Sequence, residues 1–115
     1  MIKFLTKIDG INNVLENNNN LLEIEFEKNN IIKIFNELRD NTELNFNQLL
    51  DITAVDYPSR EFRFDLIYIL QSLTKNKKII LKTFIKENEN IESITNIHKS
   101  ADWYERECYL SLIHI

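Results

Sequence analysis

Apolar and polar residues alternate along this chain with two different periods, and these periods predict its helices and strands. Near the N-terminus, one apolar stripe at helical spacing predicts a helix over residues 1–16. The stripe consists of Phe4, Ile8, Ile11 and Leu15. Gly10 lies inside this segment and lowers its helix propensity. The asparagine run over 17–20 is typical of a loop.

Residues 22–27 alternate apolar and acidic side chains at period two, which predicts a strand with one buried face. A helix is predicted next, with Asn29 or Asn30 as its cap and the turn residues 40–42 at its end. The predicted core face of this helix consists of Ile31, Ile34, Phe35 and Leu38.

Residues 48–55 predict a second strand, and the segment 56–60 predicts a turn because proline cannot donate to a strand ladder. The following segment predicts a long strand with one continuous apolar face. That face consists of Phe62, Phe64, Leu66, Tyr68 and Leu70. The opposite face is apolar only in its middle, at Ile67 and Ile69, which indicates cover from a helix or from a partner chain.

Residues 74–77 predict a turn into a last strand over 78–85. A final helical stretch carries an apolar stripe and runs toward Tyr109. The stripe consists of Ile91, Ile94, Ile97 and Ala101. The predicted order is helix, strand, helix, three strands, helix. This order is typical of an α+β fold, a two-layer sandwich in which helices pack on one face of a mixed or antiparallel sheet of about four strands.

The composition argues against several kinds of chemistry. A net charge of −4 gives no cationic field for nucleic acid, and a single glycine cannot build a phosphate-binding loop. His98 and His114 have no acidic ligand pattern nearby, so we expect no metal site. Cys108 has no adjacent histidine, which favours a packed thiol over a nucleophile. No apolar run approaches the roughly 20 residues that a membrane span requires.

The charged residues of the C-terminal half allow both a structural and a functional interpretation. Glu105, Arg106 and Glu107 diverge by about 100° per residue on a helix, so they cannot share one face. Asp102 and Arg106 can form a surface pair at i, i+4, and physical reasoning alone favours a solvated charged helix. Trp103 and the neighbouring tyrosine are equally compatible with interface anchors and with core residues.

Two sequence blocks resemble a known family. Leu49–Arg60 reads LLDITAVDYPSR, and Ser100–Tyr109 reads SADWYERECY. Together they resemble the C subunit of NADH:quinone oxidoreductase, the proton-pumping respiratory complex I, over roughly residues 48–109. The resemblance implies a domain over 1–109. It also implies that 110–115 is an atypical tail, truncated or frame-shifted, where the family pattern continues differently.

The resemblance implies a non-catalytic subunit of the peripheral arm that supports electron transfer from NADH to quinone. We expect no catalytic, cofactor-binding or metal-binding residue in this chain. NADH, flavin, iron–sulfur clusters and quinone would belong to partner subunits, chiefly those of the quinone cavity and the terminal cluster. The expected location is peripheral to the energy-transducing membrane, on the cytoplasmic side in a bacterium or the matrix side in a mitochondrion.

The resemblance further implies docking residues in both blocks, and in the family the second block locks its segment against its own fold and against neighbouring subunits. The docking candidates are Asp56, Tyr57, Pro58, Arg60, Trp103, Glu105, Arg106 and Glu107. One alternative is a free-standing interaction domain that binds a partner by strand addition. Another is a small hydrolase, which would need two of Asp51, Asp56 and Glu105 in one cleft. Residues five apart on a strand face opposite ways, which argues against the first two acting together.

Overall fold

The computed structural model describes residues 8, 10–16, 21–42, 44–86 and 89–110, with the backbone alone for Glu16, Tyr109 and Leu110. Its elements are β1 (Ile11–Glu16), β2 (Leu22–Phe26), a short 3₁₀ helix (Lys28–Asn30), α1 (Ile31–Asp40), β3 (Gln48–Asp56), β4 (Phe64–Ser72), β5 (Lys77–Ile85) and α2 (Ala101–Leu110). The α+β class is therefore confirmed. The described residues form a sheet of five strands rather than about four.

The sheet is mixed, which is one of the two forms predicted from sequence. Its strand order is β1-β2-β5-β4-β3. The strands β3, β4 and β5 form an antiparallel meander, β5 pairs in parallel with β2, and β2 pairs antiparallel with β1. Tyr68 at the centre of β4 lies opposite Ile52 on one side and Leu81 on the other.

The predicted N-terminal helix is wrong for residues 11–16, which form β1 instead. Val14 pairs opposite Ile24 of β2 and packs against the core, so strand pairing overrides the helical spacing. Residues 1–7 and the predicted loop at 17–20 lie outside the described residues.

Gly10 lies at the bend that leads into β1. Its φ of +93° is a conformation that other residues rarely adopt. A Cβ atom at this position would lie 2.6 Å from the Cβ atom of Asn30. Both the backbone angle and the close approach therefore require glycine here.

The last predicted helical stretch is wrong before Ala101, where α2 begins. Ile91 and Ile94 are buried as predicted, but they lie in irregular chain, and only an isolated turn follows at 95–97. Ser93 explains the difference, because its hydroxyl accepts a bond from the Thr95 N–H and so competes with helical bonding.

Two smaller predictions also need correction. Phe62 precedes β4 and is exposed, so the apolar face of that strand begins at Phe64. Asn30 occupies the cap position of α1, but its side chain makes no capping bond. The predicted core face of α1 and the turn between β4 and β5 are confirmed.

The core lies between the sheet and the two described helices, and an aromatic cluster occupies its centre. The ring of Phe35 from α1 contacts that of Tyr68 edge-on, with centroids 4.9 Å apart. Phe26 of β2 completes the cluster, 6.1 Å from Phe35. All three side chains are almost fully buried, so they fix α1 on this face of the sheet.

The second described helix, α2, is fixed by polar contacts as well as by packing. The buried carboxylate of Glu105 accepts bonds from the Ser93 hydroxyl at 2.6 Å and from the Ile94 N–H at 2.9 Å. The Cys108 thiol donates to the Ile52 carbonyl of β3 at 3.6 Å. These contacts hold α2 along β3 and close the irregular segment over the core.

Replacing the buried carboxylate tests this arrangement. Glu105→Gln keeps the side-chain size but removes the negative charge that strengthens both bonds, and the Ser93 hydroxyl then has to accept from the new amide group instead of donating. We expect the free energy of unfolding in urea to fall by about 1–2 kcal/mol. The exposed neighbour Glu107 provides the matched control, and Glu107→Gln should change it by less than about 0.5 kcal/mol. Equal effects would contradict the structural role of Glu105.

The Cys108 thiol reports whether α2 stays packed on β3. Burial, together with the negative charges of Asp51 and Glu107, raises its pKa from 9.0 to about 11. At pH 8 the thiolate fraction is therefore about a hundredfold lower in the folded chain than in the unfolded chain. Alkylation by iodoacetamide should be slower by at least about that factor without urea.

The raised pKa of Cys108 also makes the free energy of unfolding depend on pH. Because the folded state favours the neutral thiol, the free energy of unfolding should fall as the pH rises from about 9 to about 11. The variant Cys108→Ala has no thiol to titrate, so it should lack this fall in the free energy of unfolding and serves as the control. Rapid alkylation of the folded chain at pH 8 would show that the thiol is accessible and would contradict the packing of α2.

Candidate docking surface

The first block forms the turn between β3 and β4, and a charged pair closes it. The Asp56 carboxylate accepts two bonds from the Arg63 guanidinium, at 2.7 and 3.0 Å. These bonds lower the pKa of Asp56. The Tyr57 N–H donates to the Arg63 carbonyl at 2.7 Å and extends the pairing by one residue. Asp56 therefore fixes the start of the turn.

Arg60 occupies the tip of the same turn and links its exposed side to the sheet. Its guanidinium lies over the Tyr57 ring, 3.9 Å from the centroid, and pairs with the carboxylate of Asp65. Asp65 is buried in β4, so Arg60 compensates a charge that would otherwise be costly. Tyr57 stays 41% exposed, and Pro58 is exposed beside it. The turn thus presents an ordered aromatic and a guanidinium to solvent.

The second block forms α2, and its two aromatic residues face different environments. Trp103 is 64% exposed, whereas Tyr104 is half-buried and packs against the core. The predicted surface pair between Asp102 and Arg106 is confirmed at 3.2 Å, and both side chains are largely exposed. Such a pair adds only a few tenths of a kcal/mol. The outer side of α2 is therefore a solvated charged surface with one large exposed aromatic.

The charged triplet of α2 divides between two environments, as its angular spacing predicted. Glu105 points into the chain and bonds to the 93–94 segment, whereas Arg106 and Glu107 are exposed. Glu105 can therefore affect docking only by positioning α2.

The two blocks adjoin β3 at different places. The helix α2 packs along the core face of β3, with Ser100 beside Leu49 and Cys108 beside Ile52. The turn follows the end of β3, and its Arg60 pairs with Asp65 on the opposite face of the sheet. We define the β3 surface by the exposed residues Asp56, Tyr57, Pro58, Arg60, Trp103, Arg106 and Glu107. Sequence reasoning did not identify Arg63 and Asp65, which position two of these residues. Their signal was the alternation of charge and aromatic residues over 60–65, across a predicted hairpin.

The carboxylates suggested for a hydrolase do not converge. Asp51 pairs opposite Ile69 and Asp56 opposite Phe64, which places them on opposite faces of the sheet. Asp51 accepts bonds from the Ile52 N–H and the Thr53 hydroxyl, and Glu105 is enclosed under α2. The arrangement offers no pair of carboxylates for acid–base chemistry among these three residues.

The described residues offer neither a metal centre nor a membrane span. Within them, no group of three or more His, Cys, Asp and Glu side chains is placed to bind a metal ion. His98 is buried, and burial lowers its pKa, while His114 lies outside the described part of the chain. None of the described helices has the length and apolar character that a membrane span needs.

Known proteins resemble this chain in sequence and in fold. The family model of the respiratory-chain NADH dehydrogenase 30 Kd subunit matches residues 24–110. A protein from Ruegeria pomeroyi, named as the C subunit of NADH-quinone oxidoreductase, is 40% identical over 76% of this chain and 44% of its own length. Proteins of the same name from a Caulobacter species and from Rickettsia felis are 44% and 41% identical. The match to the Caulobacter protein covers 70% of this chain and 38% of that protein. The match to the Rickettsia felis protein covers 76% of this chain and 42% of that protein.

Among solved structures, one chain has the same fold with a TM-score of 0.81 and 23% identity. It belongs to the membrane-bound sulfane sulfur reductase, an archaeal respiratory membrane complex, and the match covers 94% of this chain and 62% of that one. At this identity the likeness shows the fold alone. The chain thus spans less than half the length of the curated relatives it matches. The family model nevertheless covers most of the chain, and with these relatives it shows that the chain belongs to the family of the respiratory-chain NADH dehydrogenase 30 Kd subunit.

Proposed function

We propose that this chain is a non-catalytic subunit of the peripheral arm of an NADH:quinone oxidoreductase and docks against the subunits of the quinone module. Family membership supports the assignment to the complex. The observation that favours docking through the β3 surface is the exposure of Trp103 on a helix whose opposite side is fully engaged. Large exposed aromatics beside charged residues are typical anchors of protein interfaces.

The two parts of the β3 surface have different roles in this proposal. The turn supplies a guanidinium and a tyrosine ring that are already ordered by Asp65 and by each other, so little conformational entropy is lost on binding. The exposed side of α2 supplies Trp103 as an apolar anchor with Arg106 and Glu107 at its rim. The quinone-cavity and terminal-cluster subunits are the proposed partners.

The chemistry is proposed to lie in those partners. Flavin, iron–sulfur clusters, NADH and quinone would bind to other subunits, and this chain would contribute no catalytic residue. The proposed location is the peripheral side of the energy-transducing membrane. Strand addition, the alternative from sequence, gains no support at the β3 edge, because the carbonyls of Leu49 and Ile52 already accept bonds from Ser100 and Cys108.

The test is a pull-down. The full chain carries an affinity tag and is produced together with the quinone-module subunits of the same organism, and the subunits that are recovered with it are measured. We expect the wild type to recover them. The double variant Trp103→Ala with Arg106→Glu should recover at least about tenfold less, since it removes an anchor and reverses a charge.

A matched control lies on β1, at the edge of the sheet opposite β3. Leu15 is 45% exposed there, and Glu27 is exposed at the end of the neighbouring strand. Leu15→Ala with Glu27→Lys should leave recovery unchanged. If the wild type recovers no partner, the proposed function is wrong. If both double variants lose recovery equally, the β3 surface is not the docking site.

A further inference from the structure

One face of the sheet lacks a helical layer within the described residues. The aromatic cluster and α2 both pack on the face that contains Tyr68 and Ile52. The opposite face, which we call the open face, displays the alternate residues of each strand. Its apolar members are Val55, Ile67, Ile69, Ile80 and Phe84, each half-buried among its sheet neighbours. The middle of β4 was expected from sequence to need cover from a helix or a partner chain.

The apolar residues of the open face are concentrated on the two central strands. Ile80 and Ile69 lie side by side in register, and Ile67 and Phe84 extend the same stripe along β4 and β5. Neighbouring strands are about 4.8 Å apart, so two strands match the width of one helix of about 10 Å. From Ile80 to Phe84 the stripe is about 13 Å long, the length of roughly nine helical residues.

Acidic residues border this stripe on both sides. Glu23 and Glu25 of β2 lie in register with Ile80 and Lys82 of β5. Asp51 of β3 lies in register with Ile69 on the other side. Lys82 lies within the stripe, and its neighbour in register is Glu25, so the alkyl stem can remain in the stripe while the ammonium group reaches the border. At the end of the stripe, Phe84 is in register with the buried Asp65, whose charge is compensated by Arg60.

We propose that the open face binds an amphipathic helix of another subunit, with an apolar stripe over β4 and β5 and lysine or arginine side chains on both flanks. The negative charge of the two acidic borders favours basic flanks on the bound segment. The distance between the borders matches the width of a helix rather than that of a single strand. A second copy of this chain fits less well, because a face-to-face pair would place two acidic surfaces against each other. The proposal rests on the proposed function only for the source of the helix, a neighbouring subunit.

The end of the stripe leads toward the β3 surface. A cleft of about 570 Å³ opens at the end of β5, lined by Phe84 of the stripe, Phe62, Lys86 and Arg60 among others. Arg60 also belongs to the turn of the β3 surface. A helix on the open face would therefore end beside the other proposed contact, and one neighbouring subunit could reach both.

The experiment uses the full chain and two synthetic helical peptides of about 18 residues. Both share a leucine stripe, and they differ only in flanks of lysine or of glutamate. Fluorescence anisotropy should give a dissociation constant at least about tenfold lower for the lysine peptide, with a preference that weakens at high salt. Equal affinities, or no binding of either peptide, would overturn the proposal.

Variants of the acidic border test the position of the bound helix. Glu23→Lys with Glu25→Lys should abolish the preference for the lysine peptide, and the milder pair Glu23→Gln with Glu25→Gln should reduce it. Glu37→Lys changes an exposed glutamate of α1, on the other side of the sheet, and should leave the preference intact. A comparable loss with Glu37→Lys would overturn the assignment to the open face.

A third variant tests the apolar stripe. Ile69→Thr keeps the strand preference and should weaken binding of both peptides equally, with thermal unfolding by circular dichroism as the check on folding. Unchanged binding would overturn the proposal. Peptide binding by the isolated chain is independent of partner recovery through the β3 surface, so either proposal can fail while the other stands.

Discussion

The contact of α2 with β3 is the constraint on which the exposed chemistry of this chain depends. Glu105 accepts two bonds from the 93–94 segment, and the Cys108 thiol meets a carbonyl of β3 on the next turn of the helix. These buried contacts fix which side of α2 faces solvent. Trp103, Arg106 and Glu107 are therefore presented to solvent in one orientation.

The turn after β3 combines stability and exposure in a similar way. Arg63 closes the hairpin on Asp56, and Arg60 compensates the buried Asp65 while it stacks on Tyr57. Charges that stabilise the turn thus also order its exposed groups. The surface contacts are individually weak, and their value lies in pre-organising a binding surface rather than in the stability of the fold.

Sequence periodicity predicted most elements because their side chains pack on one face. The strand over 22–27, the core face of α1 and the three-strand meander are examples. The errors arose where spacing alone is ambiguous. Ile11 and Leu15 fit a helical stripe, yet pairing with β2 decided their structure. Ile91 and Ile94 are buried without a helix, because hydroxyl and carboxylate groups take the backbone bonds of this segment.

The sequence indicated which two blocks contribute to the candidate surface. It did not indicate how the side chains of these blocks are arranged in space. Angular spacing indicated that Glu105, Arg106 and Glu107 diverge, and only tertiary contacts decide which of them points inward. The roles of Arg63 and Asp65 likewise depend on the hairpin register, which the sequence leaves open.

The central claim is that this chain binds its neighbours through the β3 side while others perform the chemistry. Amide hydrogen exchange of the full chain, measured alone and with the quinone-module subunits, tests it most directly. We expect slower exchange at 57–60 and 103–107 in the complex, and unchanged exchange in β1 at the opposite edge of the sheet. Protection confined to β1, or none anywhere, would contradict this claim.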